Sequence, residues 1–447
     1  KFVIVVDSTI NVRDPRQVVW VLSSQVDPQR DLFILENTPF DTLDFASENI
    51  GLGGRLAIDA TTKIGPEKNH EWGKPLTRPK ELEDRVDERW AELGLSELEN
   101  TQPSPELFGY VIDELMRQKQ INNSYLDLKN SVEDKLVLVE EKIKNKLTSE
   151  VELVQKISDY HLKTGGKRLR ALLTLGSSKL CDYLKGGRDI NLAACIELIH
   201  GATLLHDDVI DNSDMRRGKK TINIIWGNQS SILAGDYLLS RCFEMMVEDG
   251  NLEVLKLLSS TSAKIAQGEI LQLQHKSEID MLEETYLKII YSKTAVLFSA
   301  ATKVGAILSE KNNKEKEALE FYGKNLGLTF QIADDALDYN SQINSFGKKV
   351  GNDFFEGKIT LPIILLFQRS SDSEKKQLEN IFKQDIRSAD DLTIILSLIS
   401  KYKIISQCYK KAEHFINLAS NSLSIFKDSE EKKIFENLTS FSLERSF

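Results

Sequence analysis

Leu205-His206-Asp207-Asp208-Val209-Ile210-Asp211 sets three carboxylates into a stretch that is otherwise apolar. Ala202, Leu204, Leu205, Val209 and Ile210 surround the acids at helical spacing, which predicts a helix with Asp207 and Asp211 one turn apart on one face. Asp208 then lies about 100° round from Asp207. The spacing recurs at Asp334-Asp335-Ala336-Leu337-Asp338, preceded by Phe330-Gln331, with Gln331 one turn before Asp334 and Asp335. One such cluster alone reads as readily as a solvated helix face. The apolar flanks of both change that: Phe330, Ile332, Ala333 and Leu337 leave the second helix, like the first, apolar on most sides, so both sets of carboxylates are expected to point into a bundle. Six like charges there repel by several kcal/mol per close pair at an effective dielectric of about 20 unless cations lie between them. Oxygen ligands without paired His or Cys favour Mg²⁺, which takes few carboxylates and completes its shell with water and phosphate.

Working outward, basic residues supply the other half of a phosphate site. Thr164-Gly165-Gly166-Lys167-Arg168-Leu169-Arg170 puts two glycines before a helix start, with Lys167 and Arg170 expected on one face, where backbone N–H groups and the helix dipole also favour an anion. Met215-Arg216-Arg217-Gly218 offers two guanidiniums suited to bidentate contact. Lys293-Thr294, the loop Phe346 to Asp353 with Lys348, and Gly357-Lys358-Ile359-Thr360-Leu361-Pro362 follow. Each is weak singly; their order around two acidic clusters is the signal.

The chain has 447 residues, 41% of them hydrophobic and 28% charged, which excludes a single small module and a disordered chain. No apolar run reaches the roughly 18 residues that span a bilayer. The net charge of -10 argues against bulk attraction to nucleic acid. Cys181, Cys195, Cys242 and Cys408 lie far apart, without C-x-x-C spacing, and fit a reducing cytoplasm. Lys1 followed at once by Phe2 to Val6 is read as a chain that lacks its true start.

Eight of the nine prolines precede position 106, while all four cysteines follow position 180, as if two unlike segments were joined. Residues 1–95 read as a small α/β fragment, with a strand at Phe2 to Val6, a helix at Arg16 to Gln25 and an apolar run at Leu32 to Leu35. Residues 96–124 read as a linker with a short helix over Pro105 to Gln120. From Tyr125 onward apolar residues recur at three and four with Pro362 as the one proline, an all-helical pattern.

Residues 125–447 resemble the trans-polyprenyl diphosphate synthase family. The resemblance rests on G-G-K-R-L-R at Gly165 to Arg170, D-D-x-x-D followed by R-R-G at Asp207 to Gly218, A-G-D-Y-L at Ala234 to Leu238, and Gly268-Glu269 with Gln272. It continues through Lys293-Thr294, F-Q-I-A-D-D-x-L-D at Phe330 to Asp338 and G-K-x-T-L-P at Gly357 to Pro362. It implies a mainly α protein, an all-helical isoprenoid-synthase bundle with a central cavity, working as a homodimer. Such an enzyme adds isopentenyl diphosphate to an allylic diphosphate. It further implies that Asp207, Asp211, Asp334 and Asp338 hold Mg²⁺ against the allylic diphosphate, supported by Asp208 and Asp335. Lys167, Arg170, His200 and Arg217 would take isopentenyl diphosphate, and Arg216, Lys293, Thr294, Gln331, Lys348 and Lys358 the allylic one. His206, off the stripe shared by His200 and Asp207, is expected to be structural. Small residues at Ala202 and Thr203, just before the first cluster, imply a long all-trans product. Ala171 stands where many relatives have proline. A terpene cyclase or an inactive dimer partner would share the bundle, and the intact six aspartates weigh against both.

Residues 1–95 resemble the C-terminal end of the UbiD-like decarboxylase family, through Lys1 to Asp14, Glu36 to Ser47, Gly51 to Lys63 and Glu71 to Pro75. That family acts on 4-hydroxy-3-polyprenylbenzoate with prenylated FMN. Lys63 matches a lysine near the flavin phosphate, yet the rest of the cofactor pocket lies upstream of this match, so the flavin site is expected to be incomplete and Lys63 a solvated lysine. A complete decarboxylase is the competing reading of function. Both resemblances point to ubiquinone biosynthesis.

Overall fold

Phe2–Val6 (β1), Leu32–Pro39 (β2) and Leu52–Ala60 (β3) form a sheet in the order β1-β3-β2, with β3 parallel to β1 and antiparallel to β2. Val3 and Val5 of β1 face outward, while Ile4 and Val6 pack on the core, the period-2 alternation of a sheet covered on one side. The cover is helix Pro15–Gln25 (α1), whose Val21 and Leu22 are fully buried against Leu32, Leu56 and Ile58. Asp14 caps it by accepting from Arg16 N at 3.0 Å, and Pro15 in the first turn gives up no hydrogen bond. The third strand was not read from sequence, because glycines at 51, 53 and 54 hide its alternation.

The computed structural model describes residues 2–27, 30–39, 52–63, 124–183, 186–340, 351–384 and 386–443. They belong to two compact units that divide between Asn123 and Ser124. The helix expected over 105–120, the linker up to 123, the stretch Glu71 to Pro75 and Lys348 lie outside the described residues.

After a helical stretch over 124–131, the second unit runs through Glu133–Lys146 (α2), Glu152–Lys163 (α3), Leu169–Leu180 (α4) and Arg188–Ile210 (α5). A hairpin of Met215–Arg216 (β4) and Lys219–Lys220 (β5) leads to Ile222–Trp226 (α6), Asn228–Asp249 (α7), Leu252–Gln274 (α8) and Glu283–Ile290 (α9). A π turn at Tyr291–Ala295 joins α9 to Val296–Leu308 (α10), and Asn313–Asp338 (α11) follows. The chain closes with Asn352–Glu356 (α12), Leu361–Arg369 (α13), Asp372–Phe382 (α14), Ala389–Lys401 (α15), Ile404–Ser422 (α16) and Glu430–Leu443 (α17). The expected mainly α bundle, preceded by a small α/β fragment, is therefore the fold.

Two helices are apolar round most of their girth and so sit centrally: α5, buried from Leu192 to Ile199, and α10, buried at nearly every position. Around them α5 packs on α4 and α7, α10 on α4 and α11, and α11 on α16. Start signals fix where the long rods begin. Asn251 accepts from Val254 N at 3.0 Å ahead of α8, and Asn312 with Glu315 forms a capping box ahead of α11. Both acidic clusters fall at helix C-terminal ends, Asp211 just past the last residue of α5 and Asp338 at the last residue of α11, where the dipole adds negative potential and favours cations.

Candidate active site

A cavity of about 880 Å³ in the helical unit is lined by all six aspartates: Asp207, Asp208 and Asp211 from the end of α5, Asp334, Asp335 and Asp338 from the end of α11. The two acidic stretches, more than a hundred residues apart in sequence, share one chamber. Burial raises the Asp207 carboxyl above its ordinary pKa, with Asp211 adding to the rise and Lys293, Arg216 and Lys358 opposing it. Burial also raises Asp208, although Arg216 grips its Oδ1 through Nε and a terminal nitrogen, both at 2.8 Å. Asp335 is held from two sides, by Tyr286 Oη donating to Oδ2 at 2.7 Å and Gln331 Nε2 donating to Oδ1 at 2.8 Å. Asp338 accepts from the backbone N–H of Asp353 at 2.9 Å.

This donor set fits a hard divalent cation. Its donors are carboxylate oxygens spread over two helices, and among the described residues no three His, Cys, Asp or Glu side chains gather closely enough to enclose a metal by themselves. Magnesium, which uses one or two carboxylates per ion and keeps room for water and phosphate, suits such an open arrangement.

The cations surround the acids. Lys293 Nζ bonds Glu269 Oε2 at 2.8 Å and Gln272 Oε1 at 3.1 Å, and Lys358 Nζ bonds Asp211 Oδ2 at 3.0 Å and Glu356 Oε2 at 2.6 Å. Lys293 and Thr294 lie inside the π turn, the one-residue insertion that commonly re-aims side chains at functional sites. Gly268 lets α8 approach that turn: a Cβ there would stand 2.7 Å from Ser292 Cβ and 2.8 Å from Lys293 N. Thr294 Oγ1 donates to Gln331 Oε1 at 2.8 Å, so Thr294, Gln331, Asp335 and Tyr286 form one hydrogen-bonded chain, buried at Thr294, Asp335 and Tyr286 and half-buried at Gln331.

Farther along the chamber, Lys167, Arg170, His200 and Arg217 gather at the glycine loop. The expectation that Lys167 and Arg170 share a helix face is not met: Arg168 adopts a left-handed conformation (φ 50°) and α4 begins at Leu169, leaving Lys167 in the loop. Its carbonyl accepts from Tyr125 Oη at 2.8 Å, and its Nζ lies 5.7 Å from the Tyr125 ring centre. Both residues line the cavity nonetheless. Arg170 donates to His200 Nε2 at 3.1 Å; a guanidinium has no acceptor, so the His200 proton belongs on Nδ1. Burial, then the charges of Arg170 and Arg217, keeps His200 neutral far below its ordinary pKa. In the hairpin, positive φ at Arg217 (50°) and Gly218 (74°) makes a tight turn that sends the two guanidiniums apart, Arg216 to Asp208 and Arg217 to the Gly165 carbonyl. Ala171, where proline was noted in relatives, supplies an N–H that donates to buried Glu197 at 3.0 Å.

Thr203 lines the cavity one turn below Asp207, while Ala202, about 100° round the helix, is buried in packing away from the wall. His206 turns away to the Ile232 carbonyl at 3.2 Å. Glu269, Tyr286, Asp353, Glu356 and His161 line the chamber without having been singled out as site residues. Glu269 could have been found, since Gly268-Glu269 belongs to the quoted pattern; Tyr286 carries no local signal.

In the first unit Lys63 is not the solvated lysine expected. It is 4% exposed, with Nζ 3.3 Å from Asp31 and 2.9 Å from Asp59. Two carboxylates already neutralise that ammonium and would repel a phosphate, so the described residues do not fit a flavin phosphate at Lys63.

Comparison with known proteins accords with this geometry. Residues 151–399 match the family model described as Polyprenyl synthetase, and residues 1–60 that of the 3-octaprenyl-4-hydroxybenzoate carboxy-lyase C-terminal domain. Octaprenyl diphosphate synthase of Escherichia coli (strain K12) is 36% identical over 303 residues, 68% of this chain and 93% of its own. The geranyl-diphosphate-specific all-trans-nonaprenyl-diphosphate synthase of Rhodobacter capsulatus is 36% identical over 301 residues, 67% of this chain and 91% of its own. Among solved structures, polyprenyl synthase from Caulobacter crescentus CB15, complexed with calcium and isoprenyl diphosphate, superposes with a TM-score of 0.69 at 36% identity. It covers 72% of this chain and 98% of its own.

Proposed function

The chain belongs to the polyprenyl synthetase family of prenyltransferases, and on that premise we propose that it condenses isopentenyl diphosphate with an allylic diphosphate into a long all-trans polyprenyl diphosphate. The observation that carries the reading is the single chamber in which six aspartates and two groups of cations meet.

Asp207, Asp211, Asp334 and Asp338 would hold magnesium, with Asp208 and Asp335 braced behind them by Arg216 and by Tyr286 and Gln331. Bound there, magnesium would neutralise charge on the departing diphosphate. Arg216, Lys293, Lys348 and Lys358, with Thr294 and Gln331, would orient the allylic diphosphate so that stabilising charge is in place before its C–O bond breaks. Lys167, Arg170, His200 and Arg217 would hold isopentenyl diphosphate with its alkene within reach of the allylic carbon, and the apolar lining residues Leu204, Ile289, Ile290 and Phe330 would help to keep water from that carbon. The released diphosphate can accept the proton lost from the condensed product, so no protein base is required.

Thr203, small and one turn below Asp207, leaves the way open to a growing chain, which favours a long product. The carboxy-lyase match of residues 1–60 names a polyprenylated hydroxybenzoate, which supports a role in making the ubiquinone side chain. Ile232, Leu233, Phe243 and Val247 of α7 are exposed apolar side chains, 42%, 66%, 43% and 67%, and favour a homodimer. Among the described residues no helix is long and apolar enough to cross a membrane. The four unpaired, buried cysteines favour a reducing cytoplasm as the location of the chain.

The test is incubation of the purified chain with farnesyl diphosphate, labelled isopentenyl diphosphate and Mg²⁺, with and without chelator, followed by chain-length chromatography. Metal-dependent labelled polyprenyl product is expected, and Asp207→Ala should lower turnover at least about 10³-fold with helical circular dichroism intact. Labelled substrate left unextended by the parent, or full activity in the variant, would overturn the assignment.

A further inference from the structure

His161, in the last turn of α3, lines the chamber beside the glycine loop but belongs to neither the acidic clusters nor the cationic set. Its ring has a seat because residue 201 on α5 is glycine: a Cβ there would stand 2.7 Å from His161 Nε2 and 3.0 Å from Leu238 Cδ2. Glycine in a helix interior is costly, and at this position what it provides is the close approach of an imidazole to the backbone that carries His200.

Two further observations bear on what the ring is for. Among the described residues neither of its nitrogens has a hydrogen-bond partner, and since Nε2 is packed towards Gly201 and Leu238, Nδ1 is the nitrogen left to meet a ligand in the chamber. Burial first, then the charges of Arg168, Arg217 and Arg216, depresses its pKa to about 4, so at neutral pH it keeps one N–H donor and one acceptor and carries no charge. A corner walled by guanidiniums selects an anion. A neutral donor there adds a hydrogen bond to that anion without adding to the mutual repulsion of the cations.

We propose that His161 is a substrate-binding residue that donates a ring N–H to the diphosphate of the isopentenyl substrate, and that Gly201 is the opening that admits it. The assignment rests on the reaction proposed above and adds to it a residue outside the cationic set.

The measurement is the KM for isopentenyl diphosphate and for the allylic diphosphate separately, in the parent, His161→Leu and His161→Gln, with thermal melting of each. His161→Leu is expected to raise the isopentenyl KM at least about tenfold, leaving the allylic KM and kcat within about twofold, and His161→Gln, which retains an N–H, to recover most of the loss. An unchanged isopentenyl KM, or both KM values rising together with a fall in melting temperature, would make His161 a space-filler and overturn the proposal. Should His161→Leu fail to fold, Gly201→Ala, which displaces the ring without deleting it, decides by the same KM comparison. Calorimetric binding of isopentenyl diphosphate reads the effect independently of turnover. A parent that binds this ligand without turnover would refute the proposed reaction while leaving the binding comparison intact.

Discussion

Lys358 Nζ stands 3.0 Å from Asp211 Oδ2, tying together residues 147 positions apart. Although burial opposes its charge, Asp211, Glu356 and Asp353 raise the Lys358 ammonium above its ordinary pKa, so it is a fixed cation at the junction of the two acidic stretches. Lys358→Ala removes a charge-assisted hydrogen bond of about 1.5 to 3 kcal/mol and the attraction for a diphosphate. The KM for the allylic substrate is expected to rise at least about tenfold, more than that for isopentenyl diphosphate. Steady-state kinetics with each substrate varied in turn checks this, and equal effects on both would contradict it.

Gly268→Ala tests the π turn. The added Cβ would meet Ser292 Cβ and Lys293 N below 3 Å, and backbone cannot yield as a side chain can. The expected outcome is overpacking of about 1 to 3 kcal/mol and a displaced Lys293, read as a lower melting temperature together with a lower kcat. A variant equal to the parent in both would show that the approach has slack.

Asp335 gives the metal-free protein a pH signature. Burial pushes its carboxyl up to about 7 from 3.8, against the hydrogen bonds from Tyr286 and Gln331 that favour ionisation. The folded state therefore keeps a proton that the unfolded chain has released. The stabilisation is full below pH 3.8 and is lost as pH rises through 7. Denaturant midpoints in chelator should show this downward contribution between about pH 4 and 7, and Asp335→Asn should remove it. An unchanged slope in the variant would exclude Asp335 as its source.

The cysteines predict chemical silence. All four are buried, and burial carries the thiols of Cys181 and Cys408 up to about 12. At pH 8 the folded chain should react negligibly with an aromatic disulfide reagent within minutes, whereas the denaturant-unfolded chain should titrate all four. Rapid labelling of even one thiol in the folded state would contradict the packing.

Much of the chamber was legible because helical periodicity fixes which residues share a face. Asp207 with Asp211, His200 two turns earlier and Thr203 one turn below all line the cavity, as their spacing implied. Where legibility failed, the backbone departed from regular geometry or the contact was long-range. Arg168 in the left-handed region moved the start of α4 past Lys167, and no local pattern brings Tyr286 to Asp335, 49 residues away. Lys63 failed for a related reason: its partner Asp31 comes from the loop before β2, which only the sheet brings near.

The π turn at Tyr291–Ala295 makes residues 283–308 a single rod with one residue too many for an even winding. That surplus works as a phase offset between its two halves. Shortening the turn by one residue would heal the rod into an uninterrupted α-helix yet rotate everything upstream by about 100° and shift it about 1.5 Å. Tyr286 would swing off Asp335 while the apolar half from Val296 onward stayed seated, so the angular setting of one wall of the chamber is encoded by the length of this segment as well as by its residues.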